Sequence, residues 1–237
     1  MELPDIGYLR EKKPRMLLGF PGFGMAGSIA LQYFIENANV EFKGRLDFEA
    51  PQFSFIAVHE GNIVWPVSLY YANEQNVLLV HSLVPLAGAE KELYDSISSI
   101  VKTVDSDMII LLESIASPDN MSHKVYYHTV RQEWKDLANS KGYDSLQEGI
   151  IIGMSSRILA GFEDNTFGIF CEANIDMPDS EAAAALIKAL DDIWGFNVDY
   201  EKLKAVSTAF EEKLKTIARK SKNAQTLKQK NQMFYVG

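Results

Sequence analysis

A chain of 237 residues with 47% hydrophobic content is long enough to bury the core of one large α/β domain. Its formal net charge of −9 makes general binding to nucleic acid unfavourable, because the phosphates are also negative. No apolar run approaches the ~20 residues that cross a bilayer, and the first residues lack the basic and apolar segments of a secretory signal. We therefore predict a protein without nucleic-acid or membrane partners.

The number and spacing of the cysteine and histidine residues indicate a cytoplasmic protein and give no sign of a metal site. The single cysteine, Cys171, excludes an intrachain disulfide, which fits a reducing compartment. It lies in an apolar, strand-like run, where a buried structural thiol is expected rather than a nucleophile. The four histidines show no zinc-ligand spacing. We predict a cytoplasmic protein with no metal site.

Residues 16–36 form the opening unit of the chain. A short apolar run, a Pro-Gly turn and apolar residues at helical spacing predict a strand, a glycine loop and a helix. The loop residues of interest are Pro21, Gly22, Gly24 and Gly27. The glycines have the G-x-G-x-x-G spacing of a dinucleotide fingerprint, and Asp47 has the spacing of its ribose-binding carboxylate. The stretch before Asp47 alternates with charge, however, unlike a strand buried on both faces. The loop therefore serves either close packing or a phosphate ligand.

Further along the chain, apolar patterns predict strands that alternate with helices. Residues 53–58 and 63–71 are separated by a Gly-Asn turn and predict a β-hairpin, with Pro66 placing the second strand partly at an edge. Other predicted strands and helices follow in chain order: strand 77–80, helix 85–105, strand 108–112, helix 130–142, strand 149–153, helix 154–162, strand 166–173 and helix 180–194. This order predicts an α/β fold, a mostly parallel sheet flanked by helices on both faces, with a β-hairpin extension.

Two helix starts carry cap signals, and one stretch carries no pattern. Thr129 and Gln132 have the spacing of a capping box. Asp179 or Ser180 is expected to cap the helix that ends at Gly195. Residues 116–128 show no clear periodicity, which is typical of a functional or mobile loop.

The C-terminal part differs from the rest in charge and pattern. We predict a single α/β domain over 1–198, a C-terminal helix over 199–220 and a basic, flexible tail over 221–237. From residue 213 onward seven residues are basic and none is acidic, which gives this part a charge of +7. Because the whole chain has a net charge of −9, residues 1–212 have a net charge of −16. The predicted helix presents an apolar stripe, formed by Leu203, Val206, Phe210, Leu214 and Ile217. A stripe of this size is expected to be covered either by the protein's own body or by another subunit.

Polar residues at the ends of predicted strands are candidates for a pocket rim. Glu113 follows the strand 108–112, and Ser155 and Arg157 follow the run 149–153. Ligands bind at such strand ends in open α/β sheets. The same residues could equally serve as helix caps and rim salt bridges. No Ser-His-Asp or Cys-His arrangement is indicated, so we predict no catalytic residues and no cofactor.

Three segments resemble the proteasome assembly chaperone family of archaea and related prokaryotes. They are the glycine loop at 19–28, the run at 148–155, and the helix start at 177–184 with the residues 195–199 that follow the helix. The resemblance implies a nucleoside-phosphorylase-like α/β sandwich. It also implies a homo-oligomeric chaperone that assists proteasome core-particle assembly without catalysis. The alternative is a nucleotide- or small-molecule-binding enzyme that uses the loop 21–27.

The last residues also resemble a feature of that family. Some members end in a hydrophobic residue, a tyrosine and one further residue, whose terminal carboxylate docks between proteasome subunits. Phe234, Tyr235 and Val236 match this triplet, but Gly237 follows them. The resemblance implies a partner-binding tail that contacts core-particle subunits, with the carboxylate displaced by one residue.

Overall fold

The computed structural model describes residues 4–48, 56–59, 62–82, 84–85, 87–116, 122–175, 177–201 and 203. The strands in these ranges are β1 (Arg15–Gly19), β2 (Val40–Arg45), β3 (Ala57–His59), β4 (Asn62–Val64), β5 (Val67–Ala72), β6 (Val77–Ser82), β7 (Ile109–Ala116), β8 (Val125–His128), β9 (Asp144–Ser145) and β10 (Thr166–Ala173). The α-helices are α1 (Ala26–Asn37), α2 (Glu90–Val104), α3 (Gln132–Ser140), α4 (Gly153–Gly161) and α5 (Ser180–Trp194).

Eight strands form one mixed sheet in the order β2-β5-β6-β1-β7-β10-β8-β9. The four central strands, β6, β1, β7 and β10, are parallel to one another. Their sequences are nearly continuous apolar runs, as expected for strands that are covered on both faces. The strands β5 and β8 join this centre in antiparallel orientation. The predicted α/β fold with a mostly parallel sheet is therefore confirmed.

Helices cover both faces of the sheet. Gly19 and Leu112 are in register, and a Cβ built on Gly19 would point at the backbone of α1. Because side chains alternate along a strand, Glu113 points to the opposite face, where Ser155 of α4 meets it. The helix α5 packs against α1, whereas α2 packs against α4. The two helix pairs thus enclose the central strands.

The predicted strand over 149–153 is wrong. These residues are not in a strand, and the side chains of Ile150 and Ile152 are 81% and 58% exposed. The apolar run suggested a buried strand, but it lies on the surface and leads into α4.

The predicted hairpin strand over 63–71 is also wrong in its extent. The proline at 66 separates two strands, of which β4 pairs with β3 and β5 joins the main sheet. Pro66 lacks the N–H that a continuous ladder would need, so the break falls at this residue. Of the first predicted hairpin strand, 53–55 lie outside the described residues.

Residues 125–128 form β8, which the sequence did not reveal. This strand pairs antiparallel with β10 and parallel with β9, and its residues alternate too weakly in polarity to predict it. The predicted capping box at Thr129 is absent. Instead, α3 begins at Gln132, whose side chain donates to Asp136, while the Thr129 hydroxyl accepts from the Arg131 N–H at 3.4 Å.

The last described helix follows its prediction. Asp179 accepts a hydrogen bond from the Ala182 N–H at 2.9 Å and so caps α5. Gly195 ends the helix with φ +65°, a conformation that glycine adopts without strain. Beyond it, Leu203 is buried, and the remainder of the predicted C-terminal helix and the tail lie outside the described residues. Within the described part of the chain no helix combines the length and apolarity needed to cross a bilayer.

Candidate functional site

The carboxyl ends of the four parallel strands gather the loops of interest at one edge of the sheet. The glycine loop follows β1, and Glu113 and Ser114 lie in the part of β7 that extends beyond its pairing with β1. Because β5 runs antiparallel, it begins at this same edge, and so the hairpin of β3 and β4 arises there as well. We call this side of the molecule the carboxyl edge.

A buried carboxyl group forms the polar centre of the carboxyl edge. Glu113 is only 5% exposed, and its Oε1 accepts a hydrogen bond from the Ser114 N–H at 2.7 Å. Its Oε2 is hydrogen-bonded to the hydroxyl of Ser155, which is also buried. The Ser114 hydroxyl in turn donates to the Phe23 carbonyl. Together, the hydrogen bonds of Glu113 and Ser114 tie β7, α4 and the glycine loop to one another.

Burial raises the pKa of Glu113 above its ordinary value of 4.5, and the hydrogen bonds from Ser155 and Ser114 only partly oppose the shift. Removal from water disfavours the charged form, and the structure places no cation in contact with this carboxyl among the described residues. The group can therefore keep its proton at a pH where an exposed glutamate has lost it.

A cleft of about 170 Å³ opens above this carboxyl group. Its walls are mainly apolar and come from the glycine loop, the start of α2 and the segment before α4. They include Phe20, Pro21, Phe23, Pro85, Ile150, Ile152 and Met154. Its floor is polar and comprises Glu113, Ser114 and Ser155, while Glu90 stands at its rim. The cleft thus combines apolar walls with hydrogen-bonding groups at its base.

Protein atoms fill the space beside each glycine of the loop. A Cβ on Gly22 would lie 2.1 Å from Glu113 Oε1, and one on Gly27 would lie 2.3 Å from the Leu112 carbonyl oxygen. Gly24 has φ +58°, and its Cβ would lie 2.8 Å from the Cβ of Asp179. Pro21 and Gly22 line the cleft, but the glycine backbone is in contact with the protein itself. These contacts support the packing interpretation of the loop.

The strand order does not match the dinucleotide fingerprint. That fingerprint requires the second strand to lie parallel beside the first, with its acidic end near the loop. Here β1 lies between β6 and β7, whereas β2 is an edge strand that pairs antiparallel with β5. Asp47 forms an exposed ion pair with Arg45 at 2.8 Å. The structure therefore gives no support to a ribose site at Asp47.

The proposed pocket rim is brought together only in part. Glu113 and Ser155 meet in the cleft, but Arg157 does not line it. Residues two apart on a helix point in different directions, and the Arg157 guanidinium lies over the ring of Tyr94, 5.6 Å from its centroid. An anionic ligand in the cleft would thus lack this guanidinium as a partner.

A second polar cluster, which the sequence did not predict, surrounds the start of α5. His123 has φ +48°, and its Nε2 lies 3.1 Å from Asp179 Oδ1 while its Nδ1 lies 3.4 Å from Glu181 Oε2. Asp179 also accepts from the Asn174 N–H at 2.9 Å. The helix-cap signal at Asp179 is visible in the sequence, but the approach of His123 from an aperiodic segment is not. The cluster fastens the chain after β10 to the α5 N-terminus.

The described cysteine and histidine residues form neither an activated nucleophile nor a metal site. Burial raises the pKa of the Cys171 thiol, and the sulfur contacts the His123 carbonyl rather than its ring. Burial also lowers the pKa of His81 to about 4, so that ring is neutral at physiological pH. Across the described ranges no group of three or more His, Cys, Asp or Glu residues could hold a metal ion.

Comparison with known proteins shows similarity over nearly the whole chain. An uncharacterised protein of Methanocaldococcus jannaschii, MJ0106, is 25% identical over 240 residues, which cover 100% of this chain and 98% of that protein. The crystal structure of Pyrococcus furiosus PbaA, an archaeal homologue of proteasome-assembly chaperone, superimposes with a TM-score of 0.77 at 23% identity, over 90% of this chain and 95% of PbaA.

A second archaeal structure has the same fold. Pyrococcus furiosus PbaB, described as an archaeal proteasome activator, gives a TM-score of 0.70 at 20% identity over 91% of this chain and 96% of PbaB. Residues 16–218 match the model of the PAC2 family, a span that includes the glycine loop, the cleft and α5. The resemblance noted in the sequence is thereby confirmed, and the chain belongs to the PAC2 family.

Proposed function

We propose that this protein is a non-enzymatic assembly factor that binds subunits of a proteasome core particle. The observation that carries the proposal is the family match over residues 16–218, since relatives of this fold include a homologue of proteasome-assembly chaperone and a proteasome activator. The site geometry agrees with a binding role. The buried carboxyl of Glu113 is hydrogen-bonded within the protein, and the glycine loop is packed rather than open to a phosphate.

The carboxyl edge offers an apolar surface to a protein partner. Most of the large hydrophobic side chains that are exposed in the described ranges lie there: Ile56, Val58, Ile63, Ile150, Ile152, Ile175 and Met177. The first three belong to the hairpin region, and the others flank the cleft or follow β10. Large clusters of exposed apolar residues are typical of surfaces that contact other proteins.

The tail contributes to partner binding in this proposal. In this proposal the chain is divided into a domain over 1–198, a helix over 199–220 and a basic tail over 221–237. Aromatic anchors at Phe234 and Tyr235, with Val236, can enter an apolar groove on a partner, and the preceding basic residues favour approach to an acidic rim.

The test is a binding assay with core-particle subunits from the source organism. We expect the full chain to retain core-particle subunits in a pull-down and to raise the yield of assembled particles from separate subunits. Replacing Phe234 and Tyr235 with alanine should weaken retention by about tenfold or more, because each buried aromatic anchor contributes more than 1 kcal/mol. The control replaces Gln229 and Gln232 with alanine, which changes the same tail without removing an aromatic anchor. If wild-type protein neither binds subunits nor alters assembly, the proposed function is wrong.

Self-association is a second part of the proposal. Leu203, the first residue of the stripe, is buried by the protein's own body, whereas Val206 and Phe210, which continue it, lie outside the described ranges. We expect light scattering at micromolar concentration to give a mass of at least twice that of one chain, and Phe210→Glu to reduce it, because a charge in an apolar contact costs several kcal/mol. A single-chain mass for the wild-type protein would contradict this part of the proposal.

A further inference from the structure

The cleft at the carboxyl edge has the chemistry of a site for an aromatic side chain that carries a hydroxyl group. Its walls, which include Pro21, Phe23 and Ile152, are apolar, and its floor presents the carboxyl of Glu113 and the hydroxyl of Ser155. Moving an aromatic ring out of water and into a cleft with such walls is energetically favourable. A buried phenol also needs a hydrogen-bond partner, which the floor supplies. We propose that this cleft binds the segment 234–236 of the same chain, with the Tyr235 hydroxyl towards Glu113 and Ser155.

The last described residues lead back towards the carboxyl edge, on the sheet face opposite the one that bears the cleft. After α5 ends, the Phe196 carbonyl accepts from Gln75, which precedes β6, so this point lies at the opposite edge of the sheet. The Asp199 carbonyl then accepts from the Tyr33 hydroxyl within α1. Tyr200 lines a cavity together with Glu181, in the first turn of α5. The chain therefore runs back along α1 and α5 towards the carboxyl edge.

The remaining chain is long enough to reach the cleft. About thirty residues separate Leu203 from Phe234. A helix from 204 to 220 would add about 25 Å, and the residues that follow would span about 20 Å as a coil. A folded domain of this size has a radius of gyration of about 16 Å. The segment 234–236 can thus reach its own cleft without strain.

Charge and exposure favour this occupant over an unrelated one. The tail is basic, whereas residues 1–212 carry −16 and the carboxylate of Glu90 stands at the rim of the cleft. Ile150 and Ile152 are largely exposed at the mouth of the cleft, so an aromatic side chain seated there would cover apolar surface that now faces water.

This inference deepens the proposed function and rests on it for its biological meaning. Partner-binding residues that occupy their own cleft are withheld until a core-particle subunit competes for them. The tail and the carboxyl edge would then become available to the partner in one step. Purified protein alone is sufficient to test the docking itself.

The experiment places the photo-reactive residue p-benzoylphenylalanine at position 234 of the full chain and maps its cross-links by mass spectrometry. We expect cross-links to the segment 150–154, within single chains. The double variant Ile150→Ser, Ile152→Ser should lower their yield about tenfold through the loss of two apolar contacts. Serine is a favourable helix-cap residue at position 152, which precedes α4, so folding is preserved.

A matched control replaces Phe42, which is 52% exposed on the edge strand β2, with serine. This control should leave the yield within about twofold, as expected for a surface substitution away from the site. Light and isotopically heavy chains are mixed before irradiation, and only unmixed peptide pairs agree with docking in the same chain. Mixed pairs, or cross-links confined to other surfaces, would overturn the inference. The pull-down with core-particle subunits is a separate measurement, so its failure would affect only the proposed function.

Discussion

Replacing Gly27 with valine is expected to lower the free energy of unfolding by about 3 kcal/mol. A Cβ at this position would lie 2.3 Å from the Leu112 carbonyl oxygen, which belongs to a central strand held between β1 and β10. Neither side can yield easily, since the Gly27 carbonyl oxygen itself lies 2.4 Å from where a Cβ on Gly19 would stand. The helix α1 would have to move away from the sheet as a whole.

Urea unfolding of Gly27→Val measures this effect. Gly27→Ala is measured as well, because a Cβ alone is enough to produce the clash. The control is Gly7→Ala, at a position where a Cβ would meet nothing within 4 Å, and it should change stability by no more than about 0.5 kcal/mol. A Gly27→Val protein with unchanged stability and a selective loss of activity would contradict the packing role of the loop and support a ligand role.

Removing the carboxyl group of Glu113 should cost about 3 kcal/mol, since alanine would leave a cavity and deprive the Ser114 N–H and the Ser155 hydroxyl of their partner. Glu113→Gln should cost much less. Its amide oxygen can accept from the Ser114 N–H, and its amide nitrogen can donate to the Ser155 hydroxyl, as a protonated carboxyl would. Denaturant titration of the two variants separates these outcomes, and equal losses would contradict this account of the buried carboxyl.

The same residue makes stability depend on pH. The pKa of Glu113 is raised in the folded protein, so the folded state holds this proton more tightly than the unfolded state does. Its contribution is therefore complete below the ordinary pKa of 4.5 and is lost as the pH rises through the raised value. We expect the stability of Glu113→Gln relative to wild type to increase over that interval. A difference that is constant from pH 4.5 to pH 8 would show that the carboxyl does not titrate with folding.

The sequence predicted best those elements whose pattern reflects burial from both sides. The apolar runs of β6, β7 and β10 and the cap and stop of α5 were found because local patterns and the final environment agree. The strand prediction for 149–153 failed because here the local pattern and the final environment disagree. The isoleucines of this run lie at the mouth of a cleft and not within a sheet. The strand β8 was missed because its pairing with β10 is remote in sequence and its own residues carry little pattern.

The candidate site was predictable in its location but not in its contents. The rule that ligands and polar groups gather at the carboxyl ends of parallel strands placed Glu113 at this edge. Ser155 was expected there as the end of a strand over 149–153, but no such strand forms, and Ser155 is hydrogen-bonded to Glu113 from α4 instead. The rule could not show that the helical twist of α4 directs Arg157 to Tyr94. Nor could spacing alone reveal that Glu113 fills the space beside Gly22, a contact that only the folded chain creates.

The edge strand β2 sets a limit on how copies of this protein can join. The side chains of Glu41 and Arg45 are exposed on this strand, and its pairing with β5 is interrupted by a bulge between Phe42 and Gly44. Charged side chains and bulges at a sheet edge prevent a strand of another molecule from extending the ladder. Copies of this protein are therefore not expected to join by continuing the sheet across β2, and fibrils built by such sheet extension are disfavoured from this side.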